Sequence, residues 1–169
     1  RLSRETAAAY RKWAPLIDAY HGGVPPALIA IRAVIESNAT MDMRVGSDTA
    51  VGVLSVTEAQ EDRFGVPRGT RLTPAGNVWL ACLRNNADTA LFLKKYPALP
   101  ASFYDSYVFG GQLISMIGTG AADYLFRFAL SKGVNHVTYK QFSDWVGSIE
   151  ESLPATGPWG RQSRSTIVY

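Results

Sequence analysis

The sequence predicts a mainly α-helical fold with little or no sheet, on three observations. Apolar residues recur at spacings of three and four along most of the chain, the repeat of a single helix face. These stretches are opened by Ser, Thr or Pro and closed by Gly, which is how helices are punctuated. Alternating β-branched residues occur only over Val51–Val56, and Gly52 weakens any strand there.

A first helix is expected from Ser3 to Tyr20, its apolar face set by Trp13, Leu16, Ile17 and Tyr20. Gly22-Gly23 ends it with residues free to take the left-handed cap conformation. Pro25 and Pro26 suit the first turn of a second helix, where a missing N–H has no intrahelical partner to lose. With Leu28, Ile29, Ile31, Val34 and Ile35 it is apolar on most sides, which predicts a core helix ending near Ser37-Asn38. Asn38 to Ala50 reads as irregular, and Val51–Val56 as a short extended piece.

Thr57 is placed to cap a helix through Phe64, stopped by Gly65. Thr73-Pro74 opens the longest helix, which should reach about Tyr96. Prolines at 97 and 100 break the chain, Ser102 starts a stretch to Ile117 interrupted by Gly110-Gly111, and Ala121–Leu130 follows. Thr138 can cap a last helix through Trp145 and Ile149. The expectation is one domain over residues 1–153 with about seven helices, and an irregular tail or linker over 154–169.

Composition narrows the function. The chain has 169 residues, 47% hydrophobic and 18% charged, as an ordinary globular domain does. Seventeen basic and fourteen acidic residues give +3 without a clustered basic face, which argues against a nucleic-acid partner. The lone Cys82 excludes an intrachain disulfide and lies in an apolar helical stretch, as a small core residue would. His21 and His136 have no ligand neighbours at metal-binding spacing, so neither a metal nor another cofactor is expected. No apolar run reaches the roughly 18 residues of a membrane span. The chain opens on Arg1 rather than Met, compatible with a piece of a larger polypeptide.

Glu36 breaks the apolar pattern of the second helix at its C-terminal end. Apolar surroundings and the negative end of the helix dipole both disfavour a carboxylate, so this side chain is expected to keep its proton as a general acid must. Arg32, four residues earlier, offers the alternative of a simple ion pair in the weaker orientation.

Glu36-Ser37, followed by Ser47-Asp48-Thr49-Ala50-Val51-Gly52-Val53-Leu54-Ser55, resembles the signature of lytic transglycosylases of the soluble, goose-lysozyme-like kind. The lead-in Gly23-Val24-Pro25-Pro26-Ala27-Leu28-Ile29, then Thr73-Pro74-Ala75-Gly76-Asn77-Val78 and Tyr107-Val108-Phe109-Gly110, resemble further motifs of that family in the expected order. The resemblance spans Trp13 to Tyr124. It implies a lysozyme-like helical fold and cleavage of the β-1,4 bond between N-acetylmuramic acid and N-acetylglucosamine in peptidoglycan. Glu36 would act first as acid and then as base, closing a 1,6-anhydro ring on the muramyl sugar. Ser47, Ser55 and Tyr107 would be substrate-binding, whereas Ser37 and Asn77 are expected to be scaffolding.

That scheme needs one carboxylate; Asp42 or Asp48 facing Glu36 would instead permit a lysozyme-type hydrolysis. Both read more simply as loop carboxylates or turn caps. Ser55 stands where the family usually has Gln, and Val108 where it has Asn, losses that point to altered substrate register, weaker activity or a glycan-binding or structural module without turnover. The resemblance places the chain at peptidoglycan strands, in the periplasm or cell wall or on a phage particle that penetrates it.

Overall fold

The computed structural model describes residues 4–37, 50–97, 99, 101–133, 138, 140, 141, 144 and 145. These are mainly helical, as expected, and among them extended backbone pairs only in one isolated antiparallel bridge, Val51 with Val56. The chain forms two compact units, residues 1–86 and 87–169, and the long fourth helix contributes to both.

In the first unit α1 (Arg4–Tyr20) packs on α2 (Pro26–Glu36). Trp13 and Ile17 bury one face of α1, while Tyr20 at its end stays exposed. Gly22 and Gly23 take φ of 57° and 89°, the left-handed turn that returns the chain into α2. Pro25 is the N-cap of α2, and its carbonyl accepts from the N–H groups of Leu28 and Ile29.

The Val51–Val56 segment is a tight turn rather than a strand. Val51 and Val56 exchange both backbone hydrogen bonds, at 2.9 and 3.0 Å, and Ser55 N–H donates to the Gly52 carbonyl inside the loop. Four of its valines and leucines are buried, so the alternation reflects a packed turn and not a sheet face. α3 (Glu58–Phe64) starts at Thr57, whose hydroxyl makes no capping hydrogen bond, and ends on Gly65 at φ 62° as anticipated. A 3₁₀ turn (Thr70–Leu72) leads to α4 (Pro74–Lys95). Here the expected cap forms: Gly76 N–H donates to the Thr73 hydroxyl at 3.1 Å.

The second unit is centred on α5 (Phe103–Ser106), a π-helical segment (Tyr107–Leu113), α6 (Ile114–Ile117) and α7 (Thr119–Ser131). Ser102 caps α5, accepting from Asp105 N–H at 3.0 Å. The expected interruption at Gly110-Gly111 is thus a widening of the helix and not a break. Gly110 is required by close approach, since a Cβ there would lie 2.8 Å from Phe92 Cβ and 2.9 Å from Thr89 Cα. Phe92, Phe109, Leu125 and Phe126 form the centre of this unit's core. Thr138 and Gln141 bond reciprocally as a capping box, and Trp145 packs its ring against Phe128. The tail from 154, and Ile149 with it, lie outside the described residues.

Candidate functional site

The candidate site begins with α2. Its buried side chains are Leu28, Ile29, Arg32 and Ala33, one narrow helix face. Ile31 and Ile35 are 53% and 62% exposed, which corrects the expectation of a helix apolar on most sides: the apolar residues exceed what one packing face can cover. Glu36 occupies the last turn, and Ser37 N–H closes the helix on the Ala33 carbonyl at 3.1 Å. Its side chain is 28% exposed, so the apolar enclosure expected around the carboxyl is not present. Arg32 Nε lies 3.9 Å from Glu36 Oε1, an ion pair too long for a hydrogen bond.

The Arg32 side chain is only 6% exposed. Beneath it is a water-sized cavity of about 10 Å³, where α2 (Leu28, Ile29, Arg32), the 51–56 turn (Leu54) and α4 (Ala81, Cys82, Asn85) meet. Burial pushes the Cys82 thiol up to about 12 despite the nearby Arg32 charge, so the cysteine is an inert core residue.

Asn77 holds the next part of the site together. Fully buried in the first turns of α4, its Nδ2 donates to the carbonyls of Val51 at 2.7 Å and Arg71 at 3.0 Å, and its Oδ1 accepts from Leu54 N–H at 3.1 Å. Gly52 takes φ 85° directly against this amide: a Cβ there would be 2.4 Å from Asn77 Nδ2. Ser55 follows in the left-handed region at φ 50°, partly buried.

A buried ion pair fixes the 3₁₀ turn to α3. Arg71 donates from its backbone N–H to Glu61 Oε1 at 2.8 Å and from Nη1 to Oε2 at 2.6 Å, and reaches Glu58 through Nη2 at 3.1 Å. Burial works to raise the Glu61 pKa. Hydrogen bonds from the Arg71 and Gly69 backbones and from the Arg71 side chain outweigh it and hold the carboxyl below its ordinary value.

Tyr107 belongs to the second unit. It is 8% exposed at the start of the π-helical segment, its ring edge-on to Phe103 at 4.8 Å. The neighbouring Val108 is buried. Ser47, Asp42 and Asp48 lie outside the described residues. Of the expected site residues, the structure thus describes Glu36 and Ser55 in the first unit and Tyr107 in the second.

Two charge clusters were not anticipated from the sequence. The Glu61–Arg71 pair joins residues ten apart across a loop, a spacing with no local signature. The other, Asp123 with Lys95, Tyr96 and Arg127, was legible only in its i,i+4 member, Asp123–Arg127. Among the described residues no three His, Cys, Asp or Glu come together as metal ligands, and no helix is long and apolar enough to cross a membrane.

The architecture defines a mainly helical chain of two compact units. No protein-family model, curated protein or solved structure matches it.

Proposed function

We propose that the chain is a peptidoglycan-cleaving lytic transglycosylase with Glu36 as its acid and base. The observation that carries this reading is the meeting of three sequence segments in the first unit. The helix ending at Glu36, the 51–56 turn and the start of α4 are the three stretches that resemble the family's motifs there. α2 and the turn meet the middle of α4 at one small cavity, lined there by Ala81, Cys82 and Asn85, and Asn77, within the third stretch, ties the turn to the start of α4. Glu36 stands at the end of α2, four residues beyond the Arg32 that lines this cavity, with a carboxyl that solvent, and so a polymer, can reach.

In this reaction Glu36 protonates the glycosidic oxygen as the bond to C1 of the muramyl sugar breaks. The resulting carboxylate takes the proton of the C6 hydroxyl, whose oxygen closes onto C1. The products are a 1,6-anhydromuramyl end and a free N-acetylglucosamine end, with no water consumed. Glycan strands are the partner, in the periplasm or cell wall, or reached there from a virion.

A glycan-binding module without turnover is the second reading. It is favoured by the exposure of Glu36, its approach to Arg32, and Ser55 in a left-handed turn where the family carries a longer amide side chain.

Digestion of purified peptidoglycan by wild type and by Glu36→Gln, with released sugars identified by mass, tests both. Anhydro-muropeptides from wild type, reduced about a hundredfold or more in the variant, are expected. Ordinary reducing ends would indicate hydrolysis and direct attention to Asp42 and Asp48. No release from either protein, with co-sedimentation on insoluble wall, would establish the binding module instead.

A further inference from the structure

The second unit contains a cavity that the glycan chemistry does not use. Its volume is about 140 Å³, and Leu91, Phe92, Ile114, Ala122 and Phe126 form its walls. Phe92 and Phe126 meet at a ring-centroid distance of 4.7 Å, and Tyr96 meets Phe126 at 5.2 Å, so one corner is aromatic. An apolar cavity of about 150 Å³ is large enough to take up benzene.

One side of the cavity is polar. Asp123 accepts from the Tyr96 hydroxyl, from Lys95 Nζ at 2.5 Å and, through its other oxygen, from Arg127 Nε at 3.1 Å. Hydrogen bonds from Lys95 and Tyr96 hold the Asp123 carboxyl below its ordinary value, so the group is an anion with both oxygens engaged. Lys95 and Arg127 are 56% and 65% exposed and have N–H groups beyond those given to Asp123. Two cations therefore stand beside one anion, Lys95 in the lining and Arg127 bonded to the other oxygen of Asp123, and both keep N–H donors that Asp123 does not use.

We propose that this cavity binds a small monocarboxylate whose apolar body is about the size of one six-membered ring. The body fills the space against Phe92 and Phe126, and the carboxylate lies at the rim, accepting from Lys95. A cationic head is disfavoured by Lys95 and Arg127, and a neutral head forgoes the charge complement. The inference is independent of Glu36 and of glycan cleavage.

Titration of the full chain with benzoate, benzyl alcohol and benzylammonium, followed in amide proton–nitrogen correlation spectra, tests it. Saturable shifts confined to residues 91–96 and 114–126 are expected, with benzoate tightest and benzylammonium weakest. Ala122→Leu, which fills the cavity, abolishes binding of all three. Lys95→Gln, at a side chain that is 56% exposed, keeps the fold and decides the matter if Ala122→Leu does not fold. It weakens benzoate about fivefold and leaves benzyl alcohol unchanged. Absence of saturable shifts, equal binding of benzylammonium and benzoate, or unaltered benzoate binding in Lys95→Gln would overturn the proposal.

Discussion

Asn77 offers the sharpest test of how the first unit is held together. Asn77→Ala removes three buried hydrogen bonds and strands the Arg71 carbonyl and the Leu54 N–H, while the Val51 carbonyl keeps its bond from Val56 N–H. At about 1 kcal/mol net for each bond, the expected loss is about 3 kcal/mol, a large part of a typical domain's stability. Gly52→Ala should be costly for two separate reasons: the left-handed φ of 85°, and a Cβ 2.4 Å from Asn77 Nδ2. The backbone contribution is about 1–2 kcal/mol and remains in any background. The clash disappears once Asn77 is alanine. The two substitutions must therefore be non-additive, with Gly52→Ala costing at least about 1 kcal/mol less in the Asn77→Ala chain than in wild type. Urea unfolding of wild type, both single variants and the double variant measures this as a cycle of midpoints at constant slope. An additive cycle, or an Asn77→Ala loss under about 1 kcal/mol, would refute the role given to this side chain.

Other expectations follow from the same physical reasoning. Glu61→Gln breaks a buried pair and should cost about 3 kcal/mol at neutral pH. Because the folded Glu61 pKa lies below its ordinary 4.5, its contribution is present above that pH and is lost as pH falls through the folded value. The difference in melting temperature between wild type and Glu61→Gln should accordingly shrink on acidification; a constant difference down to strongly acid pH would count against the pair. Gly110→Ala forces a methyl against Phe92 and the α4 backbone at Thr89 and should destabilise by about 1–3 kcal/mol in thermal melts, whereas a neutral result would mean the π-helical segment can shift aside. Cys82, 3% exposed with its thiol pushed up to about 12, should react with a disulfide reagent only on unfolding; prompt labelling of the native chain would contradict its burial.

Local chemistry determined much of this protein by itself. Paired glycines after α1, prolines at the start of α2, Thr73-Pro74 and the Ser102 cap each act within a few residues, so helix starts and stops could be read in the sequence. Glu36 at the end of α2 was visible for the same reason. Its environment was not. Periodicity shows which residues are apolar, but not which apolar face a neighbour covers, and Ile31 and Ile35 remain in water while Arg32 is buried. Thr57 likewise has the right residue type for a cap without making the hydrogen bond.

Only the tertiary structure decided the long-range contacts. Asn77 reads in sequence as a residue near a helix start, yet it bonds to backbone groups 23 and 26 residues away. The Glu61–Arg71 pair and the Asp123 cluster depend on chain segments that approach each other only when the cores form. The aromatic cavity exists because Phe92 of α4 and Phe126 of α7 pack at an angle that leaves space beside Ala122. Turns and caps are settled by the conformational limits of a few neighbouring residues. Buried polar partners and cavities are set by how whole helices pack, and no local pattern encodes that.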